Sequence, residues 1–372
     1  MNVVVTGIGL VSALGNLEQT WKGLMQGRGG VHLSQPFLAL EPRPLALIGK
    51  HPTDILSLTQ QVLQDALHDA GLEPLLVDCG VVVGSSRGNQ AEWEKLAKNR
   101  QDLGGWLKSL PNGIAIAVAQ QIQTHSIVLA PTAACATGIW ALARAAELIR
   151  TGQAERVIAG AVEAPITPLT LTGFERMGAF AKTGVHPFDS DREGLGLGEG
   201  GALFVLESAD SANQRNAKIY GHVLEFGLTA DGYHVSAPEP GSHTAIAAVR
   251  HCLERSRVSP SDIDYIHAHG TATQLNDQNE AQLIQQVFPQ RVLVSSTKGA
   301  TGHTLGASGA LGAAFCCMAL KHQVVPPNIG LRQTHFDLAL VRQPEPVKVE
   351  TVLCFSFGFG GQNAIAAFSR SA

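Results

Sequence analysis

Four residues in this sequence combine a reactive side chain with neighbours small enough to admit a substrate. Cys135 lies in Pro131-Thr-Ala-Ala-Cys-Ala-Thr-Gly138, directly before the apolar-periodic stretch Ile139–Arg150. A thiol at a helix N-terminus feels the positive end of the dipole, which favours the thiolate nucleophile. The plainer reading of an isolated cysteine is a small buried apolar residue. His269 lies in Ile266-His-Ala-His-Gly-Thr-Ala-Thr273. Gly270 breaks the strand and leaves His269 at its carboxyl end, where ligands bind in α/β sheets. The hydroxyls of Thr271 and Thr273 point into the same loop. His303 follows Lys298 by five residues in the glycine-rich segment Ser295–Ala310, again after a strand and before a helix. A third such loop, Ser356-Phe-Gly-Phe-Gly-Gly-Gln-Asn363, offers two aromatic side chains as a wall or gate. One cysteine, two histidines and a lysine on strand-end loops point to covalent thioester chemistry. The thiolate holds an acyl group, and the imidazoles donate to a developing oxyanion or enolate. His267 and His269 could also share a metal, but no HExxH accompanies them and no metal is expected.

These loops need a scaffold. Short apolar runs at Val3–Val5, Gly80–Val83, Ser126–Leu129, Arg156–Ile158 and Ala202–Leu206 read as strands. Ile55–Ala70 and Ile139–Arg150 read as helices between them, the second closed by Thr151-Gly152. The pattern restarts with strands at Ala217–Glu225, Asp264–Ala268 and Val292–Ser295. Helices are expected at Thr244–Ser256, Ala281–Val287 and Gly309–Leu320, and a closing hairpin at Val352–Phe355 and Ala364–Phe368. This alternation predicts an α/β fold of buried, mostly parallel strands. It also predicts two similar halves, residues 1–211 and 212–372, joined at the polar stretch Ser208–Arg215 and packed as one body.

Two glycine patterns invite a dinucleotide reading and fail it. Gly7-Ile-Gly9 follows the first strand, but the third glycine of the fingerprint would fall on Ser12. Gly196-Leu-Gly-Glu-Gly-Gly201 matches, yet it precedes a strand instead of opening a helix after one. Close packing or tight turns are the better account of both. With 27 Lys and Arg against 31 Asp and Glu, the net charge of −4 argues against a nucleic-acid partner. The six cysteines form no CxxC pair, and the densest apolar run, Leu311–Leu320, is too short to span a membrane. No signal-peptide pattern opens the sequence. A cytoplasmic enzyme with reduced thiols is therefore expected.

Segment by segment, the sequence resembles the β-ketoacyl-[acyl-carrier-protein] synthases, condensing enzymes of the thiolase superfamily. The resemblance runs over nearly the whole chain, from VVVTGIGLVSALGN to the FGFGG loop. ACATG carries the family's nucleophile onto Cys135 and HGTAT its first histidine onto His269. STKGATGH carries the lysine onto Lys298 and the second histidine onto His303; GFGGQN carries an aromatic gate onto Phe359. The resemblance implies a thiolase-like fold, two halves in a five-layer αβαβα arrangement. It implies decarboxylative condensation of an acyl-Cys thioester with malonyl-acyl carrier protein, in fatty-acid or polyketide synthesis, without a cofactor. It implies Thr271, Thr273, Phe359, Phe174, Thr170 and Arg87 as substrate-binding, and Glu280, Gly360 and Gly361 as structural support. The implied partners are acyl carrier protein and a second ketosynthase subunit, identical or related. The alternative from another class is a chain-length-determining partner subunit of a heterodimer, which retention of the cysteine and both histidines disfavours.

Departures from the family pattern concern substrate and partner. The acid usual nine positions beyond the second histidine is Gly312 here, so Lys298 is expected to lack that carboxylate; Glu280 resembles the family's other acidic neighbour. Arg87 stands where the acyl pocket is usually lined by small or apolar groups, and Thr170 where long-chain members carry glycine. The segment His51–Gln61, corresponding to a basic docking helix, has no Lys or Arg.

Overall fold

The computed structural model describes residues 1–99 and 106–371. Its frame is a mixed sheet built twice over from one pattern. The first half contributes β1 (Val3–Ser12), β2 (Gly80–Gly84), β3 (Val128–Leu129), β4 (Arg156–Glu163) and β5 (Gly200–Ser208). The second contributes β6 (Gly221–Ala230), β7 (Tyr265–His267), β8 (Leu293–Ser295), β9 (Ala339–Leu340), β10 (Thr351–Gly358) and β11 (Gln362–Ser369). The hydrogen-bonded order is β9-β8-β7-β10-β11-β6-β1-β5-β4-β2-β3, with a two-residue strand Gly15–Asn16 beside β1. Each half repeats the same order: first strand, last strand, penultimate strand, then the second and third. Val3–Val5 pair with Gly221–Val223 and join the halves into one sheet.

The expectation of mostly parallel strands is corrected. β2, β3 and β4 are parallel, as are β7, β8, β9 and β10, but the pairs around β1, β5, β6 and β11 are antiparallel. A hairpin needs only a short turn, whereas a parallel pair needs a crossover. β4 and β5 are antiparallel despite a long connection through α5, so apolar runs and connection length alone do not report strand direction.

Helices cover both faces. α1 (Ile55–Ala70) starts at Asp54, whose carboxylate accepts the Ser57 N–H, and stops at Gly71 in the left-handed region. Ile55, Leu58, Val62, Ala66 and Ala70 form its buried stripe, laid with α3 (Gly113–Ile122) on one face of the first half. α2 (Gln90–Lys98) lies at the margin of that half. α4 (Thr137–Arg150) and α8 (Ser308–His322) pack against each other in the middle layer. α6 (His243–Ser256) and α7 (Gln274–Val287) cover the second half's outer face. The layers are thus helix, sheet, helix, sheet, helix, with α5 (Pro168–Arg176) near the loops at one end.

The first glycine pair now has its reason. A Cβ on Gly9 would lie 2.0 Å from the Val62 carbonyl, and one on Gly7 2.6 Å from the Ala70 side chain. Both glycines let α1 sit directly on β1. Gly138 does the same between α4 and α8, where its Cβ would lie 2.5 Å from the Ala310 backbone nitrogen. That glycine after Cys135 serves helix packing and not, as its small size invites one to expect, substrate access.

Candidate active site

Cys135 stands one residue before the Ala136 cap of α4, and no side chain caps that helix. Ala134, just before it, is held at φ 46°, a left-handed conformation unfavourable for a residue with a Cβ. The Thr137 hydroxyl ties this turn by accepting the Ala133 N–H at 2.9 Å and donating to the Ala134 carbonyl at 2.7 Å. From β10, the Ser356 hydroxyl donates to the Cys135 carbonyl at 2.9 Å. Gly358 lies so close that a Cβ there would be 3.1 Å from the Cys135 nitrogen.

His269 follows β7. Its N–H and that of Gly270 donate to the Glu280 carboxylate at 2.6 and 2.7 Å. Asp277, one turn earlier on α7, accepts the Thr271 N–H at 3.0 Å and the Phe188 N–H at 2.7 Å. The loop is thus fastened by two carboxylates spaced i,i+3 on one helix face. The Thr271 and Thr273 hydroxyls are 2.9 Å apart.

His303 is fastened by the second glycine pattern. Its N–H donates to the Gly196 carbonyl at 2.7 Å, and its carbonyl accepts the Gly198 N–H at 3.0 Å. A Cβ on Gly198 would lie 2.1 Å from the Thr301 carbonyl, so only glycine lets the strands run this close. His303 Nδ1 meets the Ser308 hydroxyl at 2.9 Å. The rings of His269 and His303 stand edge to face, 5.4 Å between centroids.

Lys298 is buried. Its ammonium donates to the His269 carbonyl and lies 3.4 Å from His269 Nδ1. An ammonium has no lone pair, so Nδ1 is the acceptor and the His269 proton resides on Nε2. Lys298 therefore holds the His269 loop, whereas Ser308 and the glycine run hold His303. Gly312 is not beside Lys298: a Cβ there would meet His267 Nδ1 at 2.7 Å and Cys354 Sγ at 2.8 Å. Burial lowers the Lys298 ammonium below the ordinary lysine range, and the nearby Glu280 carboxylate opposes that shift, so the lysine is not without an acid.

Burial governs the protonation states. It pushes the Cys135 thiol up to about 11, against the charges of Lys298 and Arg87 and the Phe359 N–H, with Glu163 adding to the rise. The expected thiolate is therefore a thiol in the resting site, because burial outweighs the Lys298 and Arg87 charges and the Phe359 N–H. Burial, then the Lys298 charge, holds both His269 and His303 well below the ordinary imidazole range. Both rings are neutral at pH 7 and available as N–H donors. Burial also raises Glu280, to about 7, opposed by its backbone donors.

Cys135, His269, His303, Thr271, Thr273 and Phe359 line one cavity of about 350 Å³, with Phe174 and Glu280 also on its wall. The Phe359 ring lies 6.0 Å from that of Phe174. Gly360 and Gly361 both take left-handed φ, 76° and 75°, and Gly361 leaves no room for a Cβ beside Asp231. Thr170 and Arg87 do not line the cavity. The buried Thr170 hydroxyl is taken by the Gln90 amide at 2.9 Å. Arg87 is exposed, and its guanidinium lies 5.9 Å from the centroid of the Phe174 ring. His267 points behind the site, toward Phe315 at 6.0 Å, and does not share the cavity with His269. Among the described residues no group of three His, Cys, Asp or Glu could hold a metal.

Several supporting residues escaped the sequence reading. Glu163 accepts from Ser85, Ser86 and the Gly306 N–H, joining the loop after β2 to the segment after His303. Asp277, Ser308 and Ser356 are the others. Each is a common polar residue whose role depends on a partner far away in the chain.

Known proteins resemble this chain over nearly its whole length. Residues 53–212 match the family model "Beta-ketoacyl synthase, N-terminal domain", and residues 220–332 match "Beta-ketoacyl synthase, C-terminal domain". A 3-oxoacyl-[acyl-carrier-protein] synthase 2 from Mycobacterium leprae (strain TN) is 33% identical, covering 99% of this chain and 96% of that one. The ishigamide ketosynthase/chain length factor superposes with a TM-score of 0.92 at 28% identity, over 99% of this chain and 98% of that one. A type II polyketide ketosynthase, solved with its acyl-carrier protein and bound to a hexaketide, also gives 0.92, at 26% identity over 99% of both chains.

Proposed function

The chain belongs to the β-ketoacyl synthase family, and from that premise we propose how its residues divide the work of a decarboxylative condensation. The carrying observation is the convergence of one thiol and two neutral imidazoles on a single cavity. Cys135 Sγ attacks the carbonyl carbon of an acyl-carrier thioester. The carrier thiol leaves with the cysteine proton, and an acyl-Cys thioester remains. Malonyl-carrier protein then loses carbon dioxide. The electron pair of the broken C–C bond becomes an enolate, whose oxygen accepts hydrogen bonds from His269 and His303. The enolate carbon attacks the acyl-Cys carbonyl, β-ketoacyl-carrier protein forms, and the departing Cys135 thiolate takes up one proton from solvent to restore the thiol. Lys298 keeps the His269 proton on Nε2 and both imidazoles neutral. Incubation with acyl- and malonyl-carrier protein is expected to release one carbon dioxide per β-ketoacyl product. Neither product nor carbon dioxide, from folded protein, would overturn the reading.

The proposed partners are an acyl carrier protein and a second ketosynthase subunit. The cytoplasm is the proposed compartment; no helix among the described residues is long and apolar enough to cross a membrane.

Arg87 carries the proposal on substrate class. Its guanidinium rests near Phe174, a cavity wall, and no carboxylate lies within 4.0 Å of it among the described residues. The exposed guanidinium keeps its water, and an alkyl chain reaching past Phe174 would have to displace part of that hydration. Acyl groups that are short or polar at the far end are therefore the proposed substrates. Palmitoyl-carrier protein should load Cys135 slowly, and Arg87→Ile should speed it by about tenfold or more, as ~1.4 kcal/mol would give. Fast palmitoyl loading that Arg87→Ile leaves unchanged would remove Arg87 from specificity.

A further inference from the structure

We infer that Gln90 and Glu94 on α2 clamp the first turn of α5, close the far side of the acyl pocket and so set how long an acyl chain Cys135 accepts. Both are positioning residues, and the inference rests on the acyl transfer to Cys135 proposed above.

The Phe174 ring of α5 forms a wall of the cavity, and Thr170 lies one turn earlier on the same helix face. Phe174 shares one apolar cluster with Cys135, Ile166, Leu171 and Phe180. A polar side chain buried beside such a cluster has to be hydrogen-bonded. Gln90, the first residue of α2, is buried against Thr170. Its amide nitrogen lies 2.9 Å from the Thr170 hydroxyl, 3.0 Å from the Thr167 hydroxyl and 2.9 Å from Glu94 Oε1. A carboxamide has two N–H groups for these three acceptors. The Thr167 hydroxyl donates to that of Thr170 at 3.1 Å, so the cluster stays connected whichever threonine Gln90 serves.

Glu94 holds the other edge. Its second oxygen accepts the Leu169 N–H at 3.2 Å, at the N-terminal end of α5, where a carboxylate is favoured. Pro168 has no N–H to offer. The Thr170 N–H is taken by the Thr167 hydroxyl at 3.3 Å and the Leu171 N–H by the Thr167 carbonyl. Every N–H of that first turn is thus engaged, with α2 supplying Glu94 as one acceptor and Gln90 as the donor to the threonines.

The helix α2 is itself anchored. The Ser85 and Ser86 hydroxyls and the Ser86 and Arg87 N–H groups, just before it, all donate to the buried Glu163. Parting α5 from α2 therefore means breaking bonds between buried groups.

The cavity stops at Phe174, and neither Gln90, Thr167 nor Thr170 is on its wall. Its open side, past the exposed Met177 and Leu275, is where a carrier's arm enters. An acyl chain that outgrows the cavity must push past Phe174 between α5 and α2. Each polar group there already has a partner, and a methylene would break one of those bonds without replacing it.

The test is the rate at which the full-length protein, with Arg87 intact, loads Cys135 from butanoyl- and dodecanoyl-carrier protein. Gln90→Leu keeps the bulk and removes the donors. It should raise the dodecanoyl-to-butanoyl ratio by about tenfold or more, with butanoyl loading within about threefold of the parent. Thr170→Val, nearly isosteric, should move the ratio the same way by about threefold, and it decides the matter if circular dichroism shows Gln90→Leu unfolded. An unchanged ratio in folded protein, or an equal fall with both acyl groups, would overturn the clamp as a determinant of chain length. Hydrogen exchange gives a readout that needs no turnover: the first-turn amides of α5 should exchange at least about tenfold faster in Gln90→Leu. Unchanged exchange would overturn the clamp as well. If the parent protein loads no acyl group while exchange quickens in the variant, the proposed function fails and the clamp on α5 stands.

Discussion

Cys135→Ala is expected to abolish condensation, by at least about 10⁴-fold, the scale on which loss of a covalent nucleophile is felt. Without the thiol no acyl-enzyme forms, and the enolate has no electrophile to attack. Decarboxylation of malonyl-carrier protein should persist, because its proposed donors, His269 and His303, are untouched. The alanine removes one sulfur from a site already lined by small residues, so the fold should be unchanged. Cys79→Ala and Cys252→Ala are the controls. Both thiols are buried away from the cavity and pushed up to about 12, so neither can substitute as a nucleophile. The measurement is intact-protein mass after exposure to acyl-carrier protein, alongside product formation. An acyl adduct on the Cys135→Ala protein, or continued elongation, would disprove the assignment.

The four reactive residues were legible because their surroundings are unusual for a core. Glycines and small residues at strand ends leave backbone and side chain open to a ligand, and that pattern survives in the bare sequence. Ala134 was not legible: alanine carries no mark of a left-handed φ, which is imposed by Ser356, Gly358 and Thr137 from outside. β1 was read as Val3–Val5 because Gly7 and Gly9 look like a turn. They continue the strand because α1 lies on them, a tertiary fact. The run Gly196–Gly201 holds the His303 backbone, work that involves residues about a hundred positions away and so leaves no local mark. The hydrogen-bond partners of Lys298 were not legible for the same reason. It shares a loop with His303 in sequence, yet in space its ammonium reaches the His269 carbonyl across the end of β7.

That division between the two histidines leads to a sharp expectation for His303→Ala. The variant should lose decarboxylation of malonyl-carrier protein by about 10²–10³-fold, the usual loss for one oxyanion donor. It should still accept an acyl group on Cys135. The reason is local: His303 is fastened by Gly196, Gly198 and Ser308, none of which shapes the Cys135 turn. That turn is held by Thr137 and Ser356 and survives the change. The pH dependence separates this donor role from a general-base role. Burial and Lys298 keep the imidazole neutral well below its ordinary range, so decarboxylation by the parent protein should stay level as pH falls through about 6.5. A base that titrated normally would lose activity there. Single-turnover carbon dioxide release and acyl-enzyme mass, measured on the same folded His303→Ala sample, decide the matter. Equal loss of both half-reactions would show that His303 also activates the Cys135 thiol, and the two imidazoles would then have to be assigned different chemistry.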